Sequence, residues 1–364
     1  MSSHPYKKFP DTSFWRRSVS GVPVSEVDPV GGSFKLKLDV SEKIATAGSC
    51  FAQHIARHLR KSGYNYFVAE TGHPLLSESV KNANNYGLYS ARYGNIYTAR
   101  QLLQLFSRAF GKFTPLEGAW KDADGAYVDP FRPTTQPGGY ASELELEFDR
   151  KQHLLLTRKM FEELDVFVFT LGLTECWRSK EDGAVFPLCP GVEGGEFCEG
   201  KYEFYNQSIS DVVSDMTAFV ESLFEINSKA KIILTVSPVP LMATAEPDEH
   251  VLSATSYSKS VLRVAANELA KSHEKIHYFP SYEIITGAFN RGEYFAEDLR
   301  SVREEGVSHV MKVFMNHASN SSIDSASLAQ LNKPAERNTV ENASSKLAQE
   351  IVQVECDESA LDKP

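Results

Sequence analysis

Two small nucleophilic side chains, Ser49 and Cys50, stand directly after a glycine in Lys43-Ile-Ala-Thr-Ala-Gly-Ser-Cys-Phe-Ala-Gln-His-Ile-Ala-Arg-His-Leu-Arg60. Ile44 to Ala47 is a short β-prone run and Gly48 turns the chain. From Phe51 the apolar residues Phe51, Ile55 and Leu59 recur at helical spacing, with Ala52 and Ala56 beside them. Strand, glycine and helix in that order place both side chains at a helix N-terminus. Unpaired N–H groups and the positive end of the macrodipole there favour a developing anion. A thiol so placed can titrate well below its free value of about 8.5. The plainer account stands beside it: two small residues permit a tight turn, with Ser49 as the N-cap.

A second cluster is Gly172-Leu-Thr-Glu175, where a turn glycine, a hydroxyl and a carboxylate follow an apolar run. Thr174 or a neighbouring N–H can serve an oxyanion hole, or Thr174 and Glu175 simply begin a loop. Asp298, just ahead of the last helical pattern, can orient a base or cap that helix. Of the ten histidines, His54 and His58 fall four apart on the first helix. That spacing can hold a metal, but no acidic third ligand accompanies it, and a solvated helix face explains the pair better. Cys176, Cys189 and Cys198 are not spaced like the ligands of zinc ribbons or fingers. Neither a metal nor a cofactor is expected.

These residues need a scaffold, and the hydrophobic pattern describes one. Apolar runs at 44–47, 165–172, 231–237 and 276–279 suit buried parallel strands. Tyr64 to Glu70 is a further β-prone segment. Helical patterns begin at Asn95, with Thr98 as N-cap, and cover 142–163, 210–225, 256–272, 281–290 and about 303–316. Strands alternating with helices imply a parallel sheet covered on both faces, an α/β architecture. In such sheets sites gather beyond the carboxyl ends of the strands. That selects the loops at Gly48, Gly172, Ser237 and Ser281. Residues 1–42 read as an arm anchored by Phe14-Trp15-Arg16-Arg17. Residues 71–94 read as a polar loop, 111–140 and 178–205 as loop insertions, and 319–364 as a mostly disordered tail with a weak helix near 343–354.

The 364 residues carry a formal charge of -10, with 42% hydrophobic and 24% charged residues. An acidic chain of this kind lacks the clustered Lys and Arg of a nucleic-acid surface. No run approaches the roughly 18 apolar residues of a membrane span, and no apolar segment follows the N-terminus as in a secretory signal. Five cysteines, an odd number, suit a reduced, cytoplasmic setting better than a disulfide framework.

Gly48-Ser-Cys-Phe-Ala52 is the signature of the GSCFA domain family. Tyr93-Gly-Asn-Ile-Tyr-Thr-Ala-Arg-Gln-Leu102, Phe131-Arg-Pro133, Val168-Phe-Thr-Leu-Gly-Leu-Thr-Glu175, Leu234-Thr-Val-Ser-Pro-Val-Pro-Leu241 and Tyr278-Phe-Pro-Ser-Tyr-Glu283 resemble that family's segments over about residues 40 to 316. The family is grouped with the SGNH/GDSL-type hydrolases. The resemblance therefore implies a three-layer α/β/α, flavodoxin-like domain at 43–318. It also implies esterase or O-acyltransferase chemistry on a small-molecule or glycan ester. In register with the Gly-Asp-Ser block of those enzymes the nucleophile falls on Cys50, with Ser49 in the place of the Asp. Gly172-Leu-Thr-Glu175 resembles the Gly-x-Asn-Asp block, with Thr174 where the oxyanion Asn is expected and Asn95 as a stand-in donor.

The last block departs from the pattern. An Asp-x-x-His pair is expected, and the chain has Asp298-Leu-Arg-Ser301. The acid is present, Ser301 occupies the position of the base, and His309 lies two helical turns further on. A general base typically contributes about 10²–10⁴-fold, so a serine nucleophile suffers from its loss more than a thiolate does. Two expectations follow. One is an SGNH-like hydrolase or acyltransferase, the other a catalytically impaired relative that binds a sugar or a protein partner.

Overall fold

The computed structural model describes residues 4–32, 34–319 and 361. β1 (Ile44–Gly48) runs into α1 (Phe51–Lys61). α2 (Glu78–Ala83) and α3 (Ala99–Ala109) follow, then β2 (Trp120–Lys121), β3 (Tyr127–Val128), α4 (Glu143–Glu163) and β4 (Val166–Leu171). Next come β5 (Glu175–Ser179), β6 (Val185–Phe186), β7 (Tyr202–Asn206) and α5 (Ile209–Ile226). The chain closes with β8 (Lys231–Val236), α6 (Val251–Ser272), β9 (Ile276–Tyr278), α7 (Ser281–Thr286) and α8 (Glu304–Ala318).

The central sheet is parallel, in the order β1-β4-β8-β9. Its register sets Gly48 against Thr170, and Thr170 against Thr235. Side chains on the sheet alternate with the pleat. Phe167 and Phe169 face α3, α4, α5 and α6 in one core. Val166 and Val168 face α1, α7 and α8 in the other. The result is a three-layer α/β/α sandwich with the strand ends of β1, β4 and β8 side by side. Helix boundaries follow capping chemistry: Thr98, Ser142 and Ser208 each accept from an N–H of the first turn.

Several segments differ from the sequence-based expectation. Tyr64 to Glu70 contributes one parallel bridge, Tyr66 to Ile44, and no longer strand. The chain then leaves the sheet edge, because the Ala69 N–H donates to the Ser90 carbonyl and the Glu70 carboxylate is held by the Arg92 N–H and His153. The polar loop at 71–94 contains α2, capped by Ser77. α6 begins at Val251 instead of Ser256, capped by the His250 ring. The insertion at 178–205 is a three-stranded antiparallel sheet, β6-β5-β7, continuous with Glu175. That at 111–140 contains the β2–β3 hairpin. The two insertions share a core of Trp120, Val128, Phe131, Ala184, Phe186 and Tyr202.

The N-terminal arm is anchored elsewhere than expected. Trp15 is 69% exposed, whereas Val27, Val30, Phe34, Leu36 and Leu38 are buried. The arm runs along α8: Lys312 Nζ donates to the Ser25 carbonyl and the Leu38 N–H to the Ala318 carbonyl. The tail and its helix near 343–354 lie outside the described residues. Among those that are described, no helix is long and apolar enough to cross a membrane.

Candidate active site at the strand ends

Gly48 makes the sharp exit from β1 possible. Its φ is +134°, and a Cβ on it would lie 2.3 Å from the Thr170 carbonyl oxygen. The Ser49 N–H then donates to that same oxygen at 3.2 Å. Cys50, not Ser49, is the N-cap residue of α1. It has helical dihedrals and makes no side-chain cap bond. The Ala52 and Gln53 N–H groups donate to the Ser49 and Cys50 carbonyls at 2.8 and 3.1 Å, so the backbone itself closes the first turn. Ser49 and Cys50 are each 3% exposed, and the Ser49 hydroxyl has no hydrogen-bond partner. Nothing orients Ser49 as an attacking group, and nothing uses it as a cap.

Asn95 is brought to this turn. The N–H of its neighbour Ile96 donates to the Gly48 carbonyl at 2.9 Å. The Asn95 Oδ1 accepts from the Tyr89 hydroxyl, which in turn accepts from Gln53 Nε2 on α1. The Gln101 amide fixes the same segment, accepting from the Tyr97 N–H and donating to the Asn95 carbonyl. A narrow cleft of about 10 Å³ borders Gln53, Asn85, Leu88, Tyr89 and Asn95, with room for about one water.

Gly172 is packed against the turn from β4. Its N–H and that of Leu173 both donate to the Tyr97 carbonyl, and its own carbonyl accepts from the buried Lys259 Nζ at 2.7 Å. The Thr174 N–H donates to Ser258 Oγ, leaving the Thr174 hydroxyl buried and unpartnered. Glu175 has another task. It accepts from the Thr244 hydroxyl and the Ala245 N–H, so it fixes the loop after β8. Burial pushes its carboxyl above the ordinary range.

Asp298 and Ser301 close on each other. Asp298 accepts from the Ser301 hydroxyl and from the N–H groups of Arg300 and Ser301, stabilising an exposed turn around Leu299, whose φ is +53°. Burial opposes ionisation there, yet these bonds together with the Arg300 charge hold the carboxyl below its usual value. His309 is held at Nδ1 by the Tyr294 hydroxyl at 2.8 Å, and its Nε2 is buried without a partner.

The histidine that does stand near the turn is His54, and it is not on a solvated face. It is 8% exposed and its Nδ1 has no partner. Burial, reinforced by Arg57, lowers its pKa to about 4, so it is neutral at pH 7. It lies four residues after Cys50, and side chains on a helix lean toward the N-terminus, so positions 50 and 54 share a face. His58 is half-buried, 3.4 Å from Glu304 of α8. No group of three or more His, Cys, Asp or Glu among the described residues is arranged to hold a metal ion.

The model of the family described as GSCFA matches residues 43–314. The chain belongs to the GSCFA family. No curated protein and no solved structure matches it. The GSCFA domain so bounded opens one residue before β1 and ends within α8, leaving the arm outside. Its sequence announces the turn, Asn95 and the Gly172 loop. Gln53, Tyr89, Ser258 and Lys259 were not legible as site residues, because each acts through a long-range hydrogen bond and none belongs to a spaced motif.

Proposed function

We propose that this GSCFA domain is an SGNH-like ester hydrolase or O-acyltransferase in which Cys50 attacks the acyl carbon. The observation that carries the reading is the convergence on one turn of three segments: Gly48-Ser49-Cys50, Asn95 through Ile96, and Gly172 against Ser49. His54 takes the thiol proton as the Cys50 sulfur adds to the ester carbonyl. The oxyanion is met by the start of α1 and the Asn95 amide, with the Thr174 hydroxyl in reserve. Collapse to a thioester expels the alkoxide, which takes the proton back from His54. Water or an acceptor hydroxyl then resolves the thioester. His54 thus replaces the base that Ser301 does not supply. The cleft at Gln53 and Asn95 is too narrow for an acyl group, so the segment 85–95 opens to admit one.

A glycan as acyl carrier is supported by a groove of about 540 Å³ lined by Phe204, Tyr205, Asn206, Glu246, Glu249 and Tyr257. Aromatic faces with carboxylates and an amide suit the apolar and hydroxyl faces of a sugar ring. The groove includes Ala254, which packs with Tyr97 and Leu173 beside Gly172.

Turnover of short acyl esters, with trapping of an acylated cysteine, tests the reading. Loss of both on Cys50→Ala, with Ser49→Ala retaining them, is the expected result; unchanged turnover in Cys50→Ala removes the nucleophile. A second reading, a binding protein without turnover, draws on the closed Asp298–Ser301 turn. Saccharide binding at the groove with no acylation under any condition would favour it.

A further inference from the structure

Helix α4 is apolar on two opposite sides. Leu146, His153, Thr157, Met160 and Phe161 face the body of the domain and are buried. On the far side Leu144, Phe148 and Leu155 stand in solvent, 61%, 63% and 66% exposed. Their i, i+4 and i+11 spacing aligns them in one stripe along the helix. The outer face of a surface helix ordinarily carries polar and charged residues. A lone exposed leucine needs no explanation, but an aligned apolar stripe of this kind marks a contact surface.

The charges beside the stripe match themselves when the helix is reversed. Glu147 and Arg158 lie along one border of it, Glu145 and Lys159 along the other. On both borders the acid is in the N-terminal half and the base in the C-terminal half. Consider a second α4 laid antiparallel on the first, with a two-fold axis beside Lys151 and Gln152. Phe148 then meets Leu155 of the second copy, and Leu155 meets its Phe148. The same placement brings Glu147 to Arg158 of the copy and Glu145 to its Lys159. Symmetry forms each of these contacts twice. A parallel placement sets acid beside acid and base beside base. Within one chain these charges have exposed helical partners: Lys151 is 3.7 Å from Glu147, Arg158 2.8 Å from Glu162 and Lys159 3.9 Å from Glu163. Exposed pairs of that kind contribute little, so exchanging them for partners across an interface costs little. The two Lys151 ammonium groups flank the axis, each drawn back over its own Phe148 and toward its own Glu147.

We propose that the chain associates with a second copy of itself through this outer face of α4. Neither the Cys50 turn nor the groove at Tyr257 takes part, so the interface does not depend on the acyl-transfer reading. It backs the helix that holds the segment leading to Asn95, since Asp149 pairs with Arg92 at 3.2 Å and His153 with Glu70 at 2.7 Å.

The test is sedimentation of the full chain between about 1 and 200 µM. A species of twice the 40.5 kDa of one chain is expected at the upper end. Phe148→Gln and Leu155→Gln change exposed side chains only, and circular dichroism should show their fold unaltered. Each should weaken association by at least about tenfold. Glu147→Arg and Arg158→Glu should each weaken it roughly fivefold, and combining the two should recover most of that loss. In the combined variant Lys151 and Glu162 still face a charge of their own sign within the helix, so the recovery reports contact between chains. A monomer at every concentration overturns the proposal. So does a dimer indifferent to Phe148→Gln and Leu155→Gln, or a combined variant no better than the single ones.

Discussion

A Cβ placed on Gly172 would lie 3.1 Å from the Ser49 Cβ and 3.0 Å from the Tyr97 carbonyl oxygen. Two strand ends and the Asn95 segment therefore meet with no space for a methyl group. Gly172→Ala is expected to destabilise the fold by about 1–3 kcal/mol, as overpacking does, measured by urea unfolding. Gly48→Ala should cost more than about 3 kcal/mol, because a positive φ adds strain to a clash with backbone. If both variants match the unaltered protein in midpoint and slope, the turn is not packed as described.

His54 gives a pH dependence of defined sign. Its folded pKa of about 4 lies below the ordinary 6.5, so between those values the unfolded chain binds more protons than the folded one. The stability it permits is fully present above pH 6.5 and is lost as the pH falls through about 4. Urea midpoints should decline across that window, and His54→Gln should flatten that part of the curve. In the proposed reaction the same group makes kcat/KM rise with pH around 4. A variant curve parallel to that of the unaltered protein would assign the loss to other groups.

Two ion pairs contrast the effects of burial. Asp129 is 1% exposed and holds Arg132 and Arg150. Burial opposes its ionisation, yet the adjacent Arg150 and Arg132 charges hold its carboxyl well below the usual range. Asp129→Ala strands those guanidinium groups and should cost about 3–5 kcal/mol. Arg17 and Asp11 form an exposed pair, and Arg17→Ala should cost less than about 1 kcal/mol. Calorimetric or urea unfolding of the two variants checks both values.

The thiols should separate by reactivity. Burial pushes Cys176 up to about 12 and Cys189 to about 11, so neither presents much thiolate at pH 7. Cys198 is exposed. Brief iodoacetamide treatment followed by peptide mass mapping should label Cys198 well ahead of Cys176 and Cys189. Labelling of Cys50 that disappears in His54→Gln would support the proposed pair.

The layered fold was legible in the sequence because buried parallel strands such as Val166–Leu171 and Lys231–Val236 leave uninterrupted apolar runs. The insertion at 178–205 was not, since two-residue pairings such as Val185–Phe186 are too short for any periodicity to register. His54 was misplaced for a related reason. Its neighbours Arg57, His58 and Arg60 are polar, and α8, which covers that side of α1, comes about 250 residues later in the chain. The turn itself was legible as Gly-Ser-Cys. That Ser49 faces Gly172 depends on a sheet register that no local pattern encodes.

The arm offers a further measurement. Leu38 is 1% exposed against α8, and Trp15 is mostly exposed. Leu38→Ala should lose about 2–4 kcal/mol, while Trp15→Ala should stay within about 0.5 kcal/mol.

Leu38 also forms a parallel bridge to Ser319, and the segment it belongs to enters the sheet at its amino edge, where Glu42 meets Lys231 at the start of β8. The arm arrives and α8 departs at the pole opposite Cys50. A surface tether or fused module joined at Ser319 would thus hold the protein by its far end, with the Cys50 turn at the opposite one.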